Sequence, residues 1–209
     1  MKLAGRAALV GWILAGTTIA HADNPDIVSA ARRQVGVTTQ YDPTYRALAY
    51  PGGDPPRDRG VCTDVVVRAL RVARGLDLQK LVHDDLAKHW SAYPHPRGWQ
   101  QAKPDPNIDH RRVPNLMKYF ERAGFGRSPS PDADAYLPGD VVAWDLGGGI
   151  LHIGVVSDRR ADGVPLVIHN IGAGTREEGI LFRYRVIGQY RLPQTNATAG
   201  HDPGPVAVH

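Results

Sequence analysis

Cys62 is the only cysteine in the chain. It opens a helix-like run, R-G-V-C-T-D-V-V-V-R-A-L over residues 59–70. A thiol in a first helical turn sits where the backbone dipole and the free N–H groups favour thiolate over thiol. Such a residue can attack a carbonyl as a nucleophile; the plainer alternative is a small buried hydrophobe. A cysteine nucleophile needs a base, and the base needs an orienting partner. Of nine histidines, His21, His201 and His209 lie near the two ends, and His83, His89, His95 and His110 fall in helices and loops without special context. His152 and His169 differ, because each sits in an apolar, strand-like run, L-H-I-G-V-V and V-I-H-N-I.

Strand side chains alternate between faces, so His152 shares a face with Gly154 and Val156, and His169 shares one with Val167. If the two strands are neighbours, the histidines lie side by side. His169 then accepts the Nδ1–H of His152 and leaves Nε2 facing Cys62. Two strand histidines with Asp145 or Asp158 could instead hold zinc. No H-x-x-x-H or C-x-x-C spacing supports that rival, so neither a metal nor another cofactor is expected. Gly147-Gly148-Gly149 lacks the Lys and Ser/Thr of a phosphate loop and reads as an open entrance beside His152. Asp140, in P-G-D, reads as a turn residue, and Asp64 as a first-turn carboxylate that favours the helix dipole while opposing a thiolate.

The elements that must position these residues follow from periodicity and punctuation. N-P-D-I-V-S-A-A-R-R-Q-V-G-V (24–37) reads as a short helix ended by Gly36. Residues 38–60, with Tyr41, Tyr45 and Tyr50 among P-G-G-D-P-P, read as a long functional loop. Residues 62–74 form a core helix with a wide apolar face and Gly75 as its cap. Asp77–Trp90 is a second helical stretch, and a Pro-rich loop follows from Tyr93 to Pro106. Asp109 caps a further helix that stops at Gly124. Residues 138–158 then read as turn, strand, Gly-rich hairpin and strand, with more strands over 165–171 and 180–191. Helices first and a small antiparallel sheet second is an α+β plan. No internal repeat is present.

Residues 1–22 read as an export signal: Lys2 and Arg6, an apolar run from Ala7 to Ala20, and the small-x-small site Ala20-His21-Ala22. The mature protein is therefore expected in the periplasm, as one domain over 23–193 with a disordered tail over 194–209. The apolar run is short for a permanent span, so no stable membrane insertion is expected after cleavage. The formal charge of +4 loses Lys2 and Arg6 with the signal. No Lys/Arg run with interleaved aromatics remains to bind nucleic acid. A monomer is expected.

The order Cys at a helix start, P-G-D strand, H-I-G-V-V strand and I-H strand resembles the papain-like cysteine peptidases of the bacterial cell wall, the NlpC-like hydrolases. The matching stretches are G-V-C-T-D-V-V, L-P-G-D-V-V-A-W, L-H-I-G-V-V-S-D and V-I-H-N-I-G. More closely, residues 27–192 resemble the family called domain of unknown function 1287, through Y-D-P-T-Y, D-R-G-V-C-T-D-V-V, N-I-D-H-R-R-V-P-N-L and H-N-I-G-A-G-T-R-E-E. The resemblance implies a papain-like α+β fold, with Cys62 as nucleophile, His152 as base and His169 as its orienting partner. Thr63-Asp64 stands where Ser-Gly is usual. The family's upstream substrate-side tyrosine has three candidates, Tyr41, Tyr45 and Tyr50. Tyr41, Tyr45, Asp64 and Trp144 form the expected substrate-binding set. The implied activity is hydrolysis of an amide bond, in peptidoglycan peptides or another peptide amide. The alternatives are an acyltransferase or thioesterase at the same centre, a wall-peptide-binding module that does not cut, and a thiol redox sensor.

Overall fold

A computed structural model describes residues 25–96 and 103–194. The signal-like segment and nearly all of the expected tail lie outside the described residues. Four helices and a six-stranded antiparallel sheet make an α+β fold. The helices are α1 (Pro25–Arg32), α2 (Cys62–Arg74), α3 (Leu78–Lys88) and α4 (Val113–Arg122). Two short parallel strands, β1 (Gln40–Tyr41) and β2 (Arg59–Gly60), tie the loop before α2 to itself. The main sheet contains β3 (Gly126–Arg127), β4 (Val141–Asp145), β5 (Leu151–Ala161), β6 (Val164–His169), β7 (Arg176–Glu178) and β8 (Arg185–Tyr190). Its order is β3-β8-β4-β5-β6-β7.

α2 is the central helix, and every residue from Cys62 to Leu70 is buried. Its β-branched valines pack on more than one side, against α1 and β5, which explains an apolar face wider than a surface helix needs. Gly75 ends it in the left-handed conformation at φ 64°. The N–H groups of Gly75 and Leu76 close on the carbonyls of Arg71 and Leu70. The start differs from an ordinary cap, because Val61 has no polar side chain. The carboxylate of Asp64 reaches back instead to accept the Val61 N–H at 2.7 Å.

Both faces of the main sheet are covered. Val141, Ala143, Ile153, Val155 and Ile168 pack with α1, α2 and α4. Val142, Trp144, Val156 and Val167 pack beneath Tyr136, Ile180 and Leu181. Asp162 and Gly163 connect β5 to β6 with φ of 49° and 79°, the pairing that a tight hairpin of matching twist requires.

Gly154 marks a close approach between β5 and β6. A Cβ there would lie 2.9 Å from Val167 Cγ1 and 3.0 Å from both His169 Cβ and Ile168 O. Gly154→Ala is therefore expected to cost about 1–3 kcal/mol, the usual range for overpacking, and to displace His169. Urea unfolding checks the first effect. An unchanged midpoint would show that β6 yields freely.

Candidate active site

The Cys62 sulfur sits at the first residue of α2, 4% exposed. The nearby backbone N–H groups of Ile153 on β5, of Thr63 and of Cys62 itself favour negative charge on it. Backbone N–H groups beside a reacting centre can also stabilise an oxyanion formed there. Burial nevertheless dominates: it pushes the thiol up to about 12, and the Asp64 carboxylate adds to the rise. The helix-start dipole thus loses to desolvation, and the resting group is a neutral thiol.

His152 and His169 are brought together. His152 Nε2 lies 3.0 Å from His169 Nδ1, with the rings nearly perpendicular. The sheet explains this: Val155 pairs with Ile168 and Val156 with Val167, so Gly154 falls opposite His169 and both histidines share one face. The ring is oriented opposite to the sequence expectation. Nε2, not Nδ1, meets His169, and Nδ1 is the nitrogen left over. Glu178, on the neighbouring strand β7, has its carboxylate 3.6 Å from His169 Nε2. That is too long for a hydrogen bond and short enough for a strong field. The negative charge favours a proton on Nε2 of His169. Nδ1 of His169 then accepts from Nε2–H of His152, and His152 Nδ1 keeps its lone pair.

Burial holds His152 down to about 3, and the neighbouring His169 pushes the same way. Burial also lowers His169, against the opposing pull of Glu178. Both rings are therefore neutral near pH 7, so no resting thiolate–imidazolium pair forms. Among the described residues no hydrogen bond joins the sulfur to either ring. By alternation His152 belongs to the face of Trp144, whereas Ile153 and Val155 pack in the cluster that holds Cys62.

The sulfur opens onto a cleft of about 320 Å³ lined by Tyr41, Val61, Ile108, Arg111, Arg112, Gly149 and Leu151, among others. Of the three tyrosine candidates, Tyr41 lines the cleft. Its hydroxyl is pushed up to about 12, first by burial and then by Cys62 and Asp64. Tyr45 hydrogen-bonds Asp105 and Asn107 instead, and Tyr50 hydrogen-bonds Asp84. Trp144 does not reach the cleft: it is fully buried, donates to the Leu181 carbonyl at 2.8 Å, and lies 5.7 Å from the His152 ring. Its contact is with the expected base rather than with a substrate. Asp64 is likewise occupied inside the protein, by Val61 N–H and by a two-pronged pair with Arg111 at 3.1 and 3.0 Å. Gly149, the last residue of the Gly-rich hairpin, borders the cleft beside Cys62, and the lining of that cleft does not include His152.

Arg111 and Glu178 were invisible as site residues in the sequence, because each acts across a long stretch of chain on one partner. Asn170 belongs with them. Its amide donates to the Gly60 carbonyl at 3.0 Å and ties the end of β6 to the loop that delivers Cys62. Among the described residues no cluster of three or more His, Cys, Asp or Glu is placed to hold a metal. No helix among them is long and apolar enough to cross a membrane.

The buried histidines also set a pH dependence. His110 is fully buried and held down to about 4 by desolvation. Below pH 6.5 the unfolded chain protonates His110 and His152, while the folded chain resists until about 4 and 3. The unfolded state then binds more protons, so stability is full above 6.5 and falls as the pH drops through that window. Each histidine contributes a slope of up to about 1.4 kcal/mol per pH unit. Urea midpoints are expected to fall between pH 7 and pH 5, and less steeply in His110→Leu. A flat profile in the wild type would contradict the burial argument.

The family model described as "Domain of unknown function (DUF1287)" matches residues 28–192. "Uncharacterized protein YijF" of Escherichia coli (strain K12) is 55% identical over 169 residues, covering 80% of this chain and 81% of that protein. The family match spans the cysteine helix and both histidine strands. The chain belongs to the DUF1287 family.

Proposed function

We propose that this protein is a cysteine hydrolase of papain-like, NlpC-like descent that acts on an amide bond in the periplasm, with peptidoglycan peptides as its substrate class. The observation that carries this reading is the paired arrangement at β5. Cys62 packs with Ile153 in one cluster, and the adjacent residue, His152, is held by His169. In the reaction, His152 Nδ1 takes the thiol proton as the sulfur attacks the carbonyl. The N–H groups of Cys62 and its neighbours stabilise the oxyanion. The imidazolium then protonates the leaving amine, and water resolves the thioester.

His152 starts on the sheet face opposite Cys62, so this reading requires the beginning of β5 to turn its ring towards the sulfur when substrate enters. One observation favours a second reading, a wall-peptide-binding module: the thiol is neutral and has no hydrogen bond to His152 in the resting state.

Mass spectrometry of purified peptidoglycan after incubation with the full chain separates the two. New amine-bearing fragments are expected, lost in His169→Ala and largely retained in His169→Asn, whose amide oxygen can still accept from His152. Retention of peptidoglycan on the protein with no soluble fragments would replace the hydrolase by the binder.

A further inference from the structure

On the far side of α2 from its cysteine, a second cavity of about 240 Å³ lies between α1, α2 and the loop before β2. Its lining carries Arg33, Arg57, Arg68 and Arg71 against one carboxylate, Asp54. Arg68 forms the floor: it is buried and fully engaged by Asp54, Thr38 and the carbonyls of Pro55, Pro56 and Arg59. Arg71 uses Nη2 on the Gly53 carbonyl and Asp77, and its Nε is buried without a hydrogen-bond partner. Gln34 is 8% exposed; its Nε2 donates to the Val65 carbonyl, and its Oε1 has no partner. A flip of that amide would only break the existing bond. Arg33 and Arg57 stand exposed at the rim, and among the described residues neither pairs with a carboxylate.

We propose that this cavity binds a phosphate monoester. Four guanidinium groups face two carboxylates, Asp54 and Asp77, which leaves two positive charges. That excess matches a dianionic phosphate better than a single carboxylate. Its oxygens meet Arg33, Arg57 and the Arg71 Nε–H in charge-assisted hydrogen bonds. A free hydroxyl on the alcohol portion of the ester donates to Gln34 Oε1, so the unmet donor and the unmet acceptor are answered by one ligand. Val37 and Val72, 50% and 59% exposed, border the same mouth and suit an ester with an apolar portion.

The test is calorimetric titration of the full chain with inorganic phosphate at fixed ionic strength, beside co-sedimentation with phosphatidic acid vesicles and with phosphatidylcholine vesicles. Saturable phosphate binding is expected. It should weaken by about tenfold for each of Arg33→Gln and Arg57→Gln, the order set by losing one hydrogen bond to a charged group. Both residues are exposed, and an unchanged urea midpoint verifies that the variants fold. Retention on phosphatidic acid alone assigns a lipid headgroup, and binding confined to solution assigns a free phosphate ester. Failure to bind in both arms, or equal binding by the double variant, overturns the proposal.

Discussion

Cys62→Ala and His152→Ala are each expected to abolish amine release from peptidoglycan, and the double variant to be no worse than either alone. The argument is chemical before it is numerical. A neutral thiol is a poor nucleophile, and the Cys62 thiol is held neutral by burial and by Asp64. Without an internal base the thiol proton has no positioned acceptor as the sulfur attacks. Removing a positioned general base alone costs about 10²–10⁴ in rate. Removing the nucleophile leaves only what binding and the N–H donors supply. Groups that act as one unit lose their effect together, so the losses do not add. Circular dichroism on each variant guards against simple unfolding. Undiminished activity in Cys62→Ala would end the nucleophile assignment, and a double loss equal to the product of the single losses would show that the two residues work separately.

Asp64→Ala is expected to cost about 3–5 kcal/mol of stability, the range for leaving a buried charge without its partner. Its carboxylate and the Arg111 guanidinium are each 2% exposed, and they meet through two hydrogen bonds. The same carboxylate caps α2 through Val61, and Arg111 also holds the carbonyls of Asp42 and Thr44. One substitution therefore releases the helix start, the loop after β1 and one wall of the cleft. Asp64→Asn keeps one acceptor and should recover part of the loss. In Asp64→Ala combined with Arg111→Leu the unpaired charge is gone, so the pair should cost less than the sum of its members. Chemical denaturation of the four proteins measures this. A loss below about 1 kcal/mol would mean that water reaches the guanidinium, as at an exposed pair.

Local signals proved the legible ones. The limits of α2 follow from its run of valines and from Gly75, and the shared face of His152 and His169 follows from alternation alone. Signals that depend on a distant partner were not legible. Asp140 reads as a turn residue beside Gly139. It does close that turn on Leu137, but it is also fully buried, accepting from Gln189 at 2.9 Å and from Arg191 at 2.7 Å across the sheet. Strand β7, R-E-E, carries no apolar alternation because it lies at the sheet edge and works through its charges: Glu177 with Arg32 and Arg159, Glu178 beside His169. The orientation of the His152 ring was beyond any pattern in the chain. Periodicity fixes the face a side chain occupies, whereas a ring's rotation is decided by neighbours such as Trp144 and His169.

The place of β8 in the sheet has a kinetic consequence. The last strand among the described residues is second in spatial order, inserted between β3 and β4. Until residues 185–190 are available, β4 presents a bare edge and β3 has nothing to pair with, so the sheet closes only when nearly the whole polypeptide is on hand. Such late, long-range closure slows folding and leaves an interval in which sticky edges invite self-association. A chain cut before Arg185 should thus aggregate rather than settle into a smaller version of the same architecture.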